Sequence, residues 1–240
     1  MSGKSDLCKI WTRFESKKQD GSIIKLRIQS WPLQPEDDVY EFMIKYFVPD
    51  EAIHKAAGIA KSQEAIKEYR ELMNILFKVA PLHATVCCFD TDTTTVEKIL
   101  GASIVQLMKN TDKLEDITKH MVFKTAEMQE LLHAAKVLEG YLEGKAGYET
   151  FYFGRGISVH PDYRRLGIAN ELIKVRKLIC IDNNIPMACA GMSARGTQKA
   201  ADKNNWKTLS EVSLEELQEK TGLKLEKNII SHKLMYTTID

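Results

Sequence analysis

The chain has 240 residues, 44% hydrophobic and 28% charged, enough to bury a real core in one large domain. Its 34 basic and 33 acidic residues leave a formal charge of +1, too even for a general nucleic-acid binder. No apolar run reaches the roughly 18 residues that mark a membrane span, and the opening MSGKSDLCKI has no apolar leader core, so a cytoplasmic protein is expected.

Residues 1–20 are largely polar, with Trp11 and Phe14 as exceptions, and are set apart as an N-terminal segment, partly disordered or forming one short extra element. A single domain is expected over 21–240. Ile23–Ile28 reads as a strand, alternating through Ile24, Leu26 and Ile28, and Pro32 and Pro35 close it off. Glu36–Phe47 reads as a helix. Val39, Phe42, Met43, Tyr46 and Phe47 form its apolar face, and Glu36, Asp37 and Asp38 suit its first turn. After Pro49 comes the short Ala-rich run EAIHKAAGIA, then a second helix over Glu64–Val79 with Tyr69, Leu72, Met73, Leu76 and Phe77 inside; Pro81 ends it. Leu82–Phe89 and Ile99–Leu107 read as a hairpin around an irregular connection at Asp90–Thr95. Asn110–His120 is polar and reads as a surface loop. Thr125–Glu139 is a third helix packing through Met128, Leu131, Leu132, Ala135 and Leu138, and Gly140, Gly144 and Gly147 loosen the chain after it.

Phe151–Asp182 organises the rest. Phe151, Phe153, Ile157 and Val159 make a strand, His160-Pro161-Asp162 a turn, and Ile168, Leu172, Val175, Leu178 and Ile179 the inner face of a long helix. Pro186–Ala190 follows as a short buried strand, and Ser193–Ala201 as a short helix that Ser193 can cap. Trp206–Val212 is a strand, Ser213-Leu214-Glu215-Glu216 a capping box opening a helix to about Lys220, and Ser231–Ile239 the last strand. Strands interleaved with helices, a hairpin among them, give an α/β class: one mixed sheet with helices on both faces.

The joint between the central strand and helix is YRRLGIA, a basic loop with one bare glycine. Free backbone N–H groups at the positive end of a helix suit a pyrophosphate. From spacing alone, a solvated turn with two surface arginines stays open. The run Arg164-Arg165-Leu166-Gly167-Ile168-Ala169 resembles the acetyl-CoA loop of the GCN5-related N-acetyltransferases: Arg or Gln, two residues, Gly, one residue, Gly or Ala. The preceding SVHP resembles the end of that family's central strand. The resemblance implies that family's fold and acetyl-CoA as cosubstrate. Backbone N–H groups from Arg164 to Ala169 would hold the pyrophosphate, with Gly167 allowing close approach. Ile157, Ser158 and Val159 would lie on the cofactor side, main-chain groups of Ile157 and Val159 meeting the pantetheine arm.

Tyr46-Phe47-Val48-Pro49-Asp50-Glu51-Ala52 read bare offers Asp50 or Glu51 as a helix cap. The segment also resembles one in the insect arylalkylamine N-acetyltransferases, which include dopamine acetyltransferases. There the matching Glu is a general base acting through water, so the resemblance implies that role for Glu51; Ala52 stands where many relatives have Pro. An ammonium must lose a proton before it attacks a thioester, and a partly buried Glu with a raised pKa suits the task. Ser193 matches a serine of the branch's Tyr-Ser-Ala-Arg stretch, while Met192 replaces the Tyr and Cys189 replaces a second serine. A two-serine mechanism is therefore in doubt; Cys189 is left as a weak donor or a proton source for the leaving thiolate, and Ser193 as either a proton-handling group or a cap. The family's Leu-Gly-Phe is replaced by the polar run 201–205 and Trp206.

The six histidines lack metal-ligand spacing, and no metal is expected. His54 lines the amine site or the surface; Tyr46, Phe47 and Trp31 line an acceptor pocket or the core. Cys87 and Cys88 point to opposite faces of a strand. With Cys8, Cys180 and Cys189 they make an odd count without CxxC and read as free thiols. The expected protein is an acetyl-CoA-dependent N-acetyltransferase of a small primary amine, an arylalkylamine such as dopamine or serotonin, attacked directly without a covalent enzyme intermediate. Its partners are the small amine alone, without nucleic acid or membrane, in a monomer or weak dimer. A polyamine or other small-amine acceptor, or a non-catalytic acyl-CoA-binding module, are the alternatives.

Overall fold

Eight runs of alternating or continuous apolar residues pair edge to edge: β1 (Ile10–Lys17), β2 (Ile23–Trp31), β3 (Leu82–Phe89), β4 (Gly101–Lys109), β5 (Thr150–Val159), β6 (Met187–Met192), β7 (Lys207–Ser213) and β8 (Ser231–Thr238). The computed structural model describes residues 9–34, 37–142, 147–226 and 231–239. Within them the sheet order is β1-β2-β3-β4-β5-β6-β8-β7, antiparallel throughout except for the parallel pair β5–β6.

The helices are α1 (Asp38–Tyr46), α2 (Ala52–Ala57), α3 (Gln63–Val79), α4 (Leu114–Thr118), α5 (Ala126–Gly140), α6 (Ile168–Asp182), α7 (Arg195–Lys203) and α8 (Leu214–Thr221). Their starts follow from short polar caps. Asp37, Ser62, Thr125 and Ser213 each accept a first-turn backbone N–H of α1, α3, α5 and α8. On one face of the sheet, Ile168, Leu172, Ile173, Val175 and Ile179 of α6 pack with Leu26, Ile28, Cys87 and Val105. On the other, Val39, Phe42 and Met43 of α1 meet Ala84, Val86, Ala102 and Ile104, while α2, α3, α5 and α8 share a second cluster. The mixed sheet with helices on both faces is thus present as expected.

One open reading is decided and one local reading is corrected. Part of the polar N-terminal segment is β1, hydrogen-bonded to β2 along its length, with Trp11 and Phe14 packed toward the α6 core. An edge strand needs apolar residues on one side only, so its composition reads as polar. Inside the expected loop 110–120, Leu114–Thr118 forms α4, whose Ile117 joins the α3–α5 cluster. Cys87, Cys88, Cys180 and Cys189 are buried free thiols, as expected. Cys8, Pro35, Glu36 and Gly144 lie outside the described residues. No helix among those residues is long and apolar enough to cross a membrane.

Two features of β5 prepare the site. It pairs with β6 only at Tyr152↔Ala188 and Phe153↔Cys189, and then the two strands part. On its other edge the register slips: Gly154 faces Val105 and Gly156 faces Ile104, leaving Arg155 as the extra residue of a bulge. Gly156 is required there. Its φ is +141°, and a Cβ would lie 2.5 Å from Met43 Cε and 3.3 Å from the Phe47 ring.

Candidate functional site

A continuous cleft of about 1880 Å³ runs from the gap between β5 and β6, past the start of α6, to the space under α2, α3 and α5. Glu51 stands in its wall. As N-cap of α2 it accepts from the backbone N–H groups of Ile53 at 2.9 Å and His54 at 3.1 Å, all on Oε2. The same oxygen takes a hydrogen bond from His54 Nδ1 at 2.7 Å, a partner three residues on and therefore on the same side of the helical turn. Oε1 accepts from the Ser193 hydroxyl at 2.8 Å, which joins the end of β6 to α2. The cap and the site residue are the same carboxylate.

The raised pKa expected for Glu51 is overturned. Burial pushes it up, but hydrogen bonding and charge attraction from His54, the Ser193 hydroxyl and the backbone N–H of His54 outweigh burial and hold it down at about 2. Four donors to one carboxylate favour its anion. Ser193 does not cap α7, whose N-cap is Ala194 and has no side-chain capping bond; its hydroxyl is spent on Glu51.

Since the folded pKa of Glu51 lies below the ordinary 4.5, its contribution to stability is complete above 4.5 and lost as pH falls toward about 2. Ser193→Ala removes one donor and moves Glu51 back toward its ordinary value. Melting temperature measured against pH is then expected to fall less steeply below pH 4.5 than in the unmodified protein. An unchanged slope would remove Ser193 from the carboxylate's partners.

At the start of α6 the local chemistry favours an anion. Gly167 is its N-cap, at φ +77°, and no side chain caps the first turn. Arg165 also has positive φ, +65°, so the loop turns its backbone outward just before the helix. Nothing lies within 4 Å of where a Gly167 Cβ would sit. Arg164, Arg165, Gly167, Ile168 and Ala169 line the cleft, together with Ile157, Ser158 and Val159 of β5. Leu166 instead packs toward the α6 core. His160 N–H bonds the Leu100 carbonyl, so strand alternation turns the backbone groups of Ile157 and Val159 to the splayed side. Arg164 reaches Asp50 Oδ2 at 3.0 Å and the Val159 carbonyl at 3.3 Å, tying the loop to the segment that holds Glu51. These residues fit a CoA pyrophosphate and pantetheine arm: bare helix N–H groups for the first, an unpaired strand edge for the second.

The inner wall is aromatic. Phe47 and Tyr69 meet the His54 ring edge-on at 5.2 and 5.3 Å, and Tyr46 packs on His160 at 4.8 Å. Tyr46, Phe47 and His54 all line the cleft. Trp31 lies with the α1 cluster and gives its indole N–H to Asp37 at 2.9 Å, a structural role. Cys189 is not brought to the cleft. It is 1% exposed in a cluster with Met108, Phe151 and Met187, and burial pushes its thiol well above the ordinary range.

His232 and Arg155 are among the cleft residues not read as site residues in the sequence. His232 of β8 packs over Gly191, whose Cβ would lie 2.7 Å from its ring; burial lowers its pKa and Glu51 opposes that. No spacing could have found it, because only the β6–β8 pairing brings it there. Arg155 did leave a signal: glycines on both sides of a charged residue inside a strand mark a bulge.

Solved structures share this architecture. The chain is similar to a protein named arylalkylamine N-acetyltransferase 7 from the yellow fever mosquito Aedes aegypti, with TM-score 0.80 and 22% identity over 97% of this chain and 95% of that one. It is similar to arylalkylamine N-acetyltransferase 2 from Aedes aegypti at TM-score 0.66 and 14% identity, over 90% of this chain and 99% of that one. A Drosophila melanogaster polyamine N-acetyltransferase, described as forming N-acetylagmatine, follows at TM-score 0.65 and 9% identity, over 95% and 100%. No family model and no curated protein sequence matches the chain. The likeness is one of fold, and the fold is that of the GCN5-related N-acetyltransferases.

Proposed function

We propose that this chain is an acetyl-CoA-dependent N-acetyltransferase acting on a small primary amine, an arylalkylamine, of which dopamine and serotonin are examples. One observation carries the reading. The Glu51–His54–Ser193 cluster shares a cleft with an uncapped helix start and an open strand edge. Acetyl-CoA supplies the activated acetyl group.

The residues of the chain do the rest. Glu51, held as an anion, attracts the incoming ammonium and keeps His54 Nδ1 protonated. That leaves His54 Nε2 as an acceptor. The proton leaves the amine through water to the Glu51–His54 pair, which shares it as a unit. Backbone N–H groups on the splayed side of β5, at Ile157 and Val159, are available to polarise a carbonyl. Phe47, Tyr69 and Tyr46 exclude water and accept an aromatic body.

The polyamine reading is less well supported by the cleft. A polyamine needs free carboxylates at a distance from the reacting nitrogen. Asp50 is paired with Arg164, Glu226 with Lys55 and Glu115 with Lys136, while Glu139 and Asp112 share the field of the Arg155 guanidinium. Initial-rate kinetics test the direct route. Intersecting lines with both substrates varied, and no acetyl group retained on the protein, are expected; parallel lines with a trapped acetyl-enzyme would exclude it.

A further inference from the structure

Buried guanidiniums of this fold differ in what they receive: Arg176, 2% exposed, donates to the Ser103 hydroxyl and the Gly156 carbonyl, both at 3.0 Å, without a carboxylate partner among the described residues, whereas Arg27, 0% exposed, is held on several sides. It donates to Gln29 Oε1 at 2.7 Å, the Thr91 carbonyl at 3.0 Å and the Thr95 carbonyl at 3.1 Å, and has Asp90 at 3.6 Å. Arg155 receives much less. Its Nε donates to Gln106 Oε1 at 2.6 Å, and one Nη meets the sulfur of Met108 at 3.1 Å, a weak acceptor. The other Nη makes no hydrogen bond, and no carboxylate among the described residues is within ion-pair distance. Yet the side chain lines the cleft, with its guanidinium 5.1 Å from the Phe153 ring.

The placement is built. The bulge at Gly154–Gly156 turns Arg155 toward Gln106, whose amide is fixed on the Leu76 carbonyl of α3 at 3.0 Å. Arg155 is therefore on the same side of the sheet as α3. Burial pushes the Tyr69 hydroxyl of α3 well above its ordinary range, Tyr40 and Glu51 add to the rise, and Arg155 opposes it. Glu51 and Arg155 both line the cleft and are not paired with each other, so it offers an anion and a separate cation. Burial pushes the Arg155 guanidinium down to about 10, opposed by Glu139, Tyr69, Cys189 and Asp112. Glu139 and Asp112 act on it from a distance; they accept the backbone N–H groups of Leu114 and Lys109, both at 2.8 Å, and neither forms an ion pair with Arg155. Half-buried, with no carboxylate among the described residues at ion-pair distance, the guanidinium has donors left over for a ligand in the cleft, and its planar fork matches a carboxylate.

We propose that Arg155 binds an anionic group of the acceptor, so that the substrate is an aromatic or apolar primary amine carrying a carboxylate at the end remote from its nitrogen. This rests on the transferase reading above. It ranks carboxylate-bearing amines above plain arylalkylamines such as dopamine and serotonin, which offer no anion and remain acceptors of lower kcat/KM, and above polyamines, whose second cation Arg155 repels.

The test uses acceptors matched in length but not in charge: δ-aminovalerate, pentylamine and cadaverine, and para-(aminoethyl)benzoate against phenethylamine. In the unmodified protein kcat/KM is expected to rank anion over neutral over cation. Arg155→Met, close in volume, is expected to lower kcat/KM for the anionic acceptors by roughly 10- to 100-fold and leave the neutral ones nearly unchanged. Arg155→Lys should recover part of the loss. Equal rates for the anionic and neutral acceptors, or an equal fall for every acceptor in Arg155→Met, would overturn the assignment. Calorimetric binding of para-ethylbenzoate, which has the anion but no amine, gives a second reading independent of turnover. Binding to the unmodified protein and not to Arg155→Met supports Arg155 even if no amine is acetylated, an outcome that would defeat only the transferase reading. Equal or absent binding to both proteins overturns the anion site.

Discussion

Glu51→Gln is expected to lower kcat by on the order of 100- to 1000-fold at neutral pH while leaving acetyl-CoA affinity nearly unchanged. The substitution keeps an oxygen that can accept the His54 Nδ1–H and cap α2, but removes the charge that attracts the ammonium and stabilises an imidazolium. Because Glu51 is also the N-cap, the fold is expected to lose about 1 kcal/mol, read as a modest drop in melting temperature. The separation matters. A stability loss alone would lower active enzyme at all pH values, whereas loss of the Glu51–His54 pair should flatten the pH dependence of kcat/KM. Steady-state kinetics across pH decide it, and equal turnover in the variant would remove Glu51 from the chemistry.

Gly167→Val is expected to weaken acetyl-CoA binding by at least about 100-fold, measured by calorimetry. At φ +77° a β-branched residue is strained by about 1–3 kcal/mol. Its Cβ would meet no atom of the protein within 4 Å, so the insult falls on the face that a phosphate would approach, not on the core. Gly167→Ala, with one methyl, should give a smaller loss in the same direction. Undiminished affinity in both variants would sink the phosphate assignment of this loop.

What the sequence made legible was whatever depends on period. The change from alternation in Phe151–Val159 to a helical stripe from Ile168 located β5 and α6, and the bare Gly167 between them located the turn. Elements that bury little of themselves were read poorly: the polar edge strand β1 was legible only as a short element of unstated type, and α4, five residues long with no side-chain cap, escaped. Glu51 was legible as a cap and, through resemblance, as a site residue. Its pKa was not, because burial can be guessed from neighbours in sequence while Ser193 arrives from 142 positions away. The same applies to Cys189. Its position four residues before Ser193 suggested chemistry, but strand alternation sends it into the Met108 and Phe151 cluster.

Amine-dependent release of CoA thiol from acetyl-CoA tests the account most directly. The account predicts no release without amine, and saturable release when an aromatic primary amine is added, with the N-acetylated amine as product. Acetyl-CoA that binds tightly yet releases no thiol with any aromatic, anionic or polyamine acceptor would contradict it and leave an acyl-CoA-binding module.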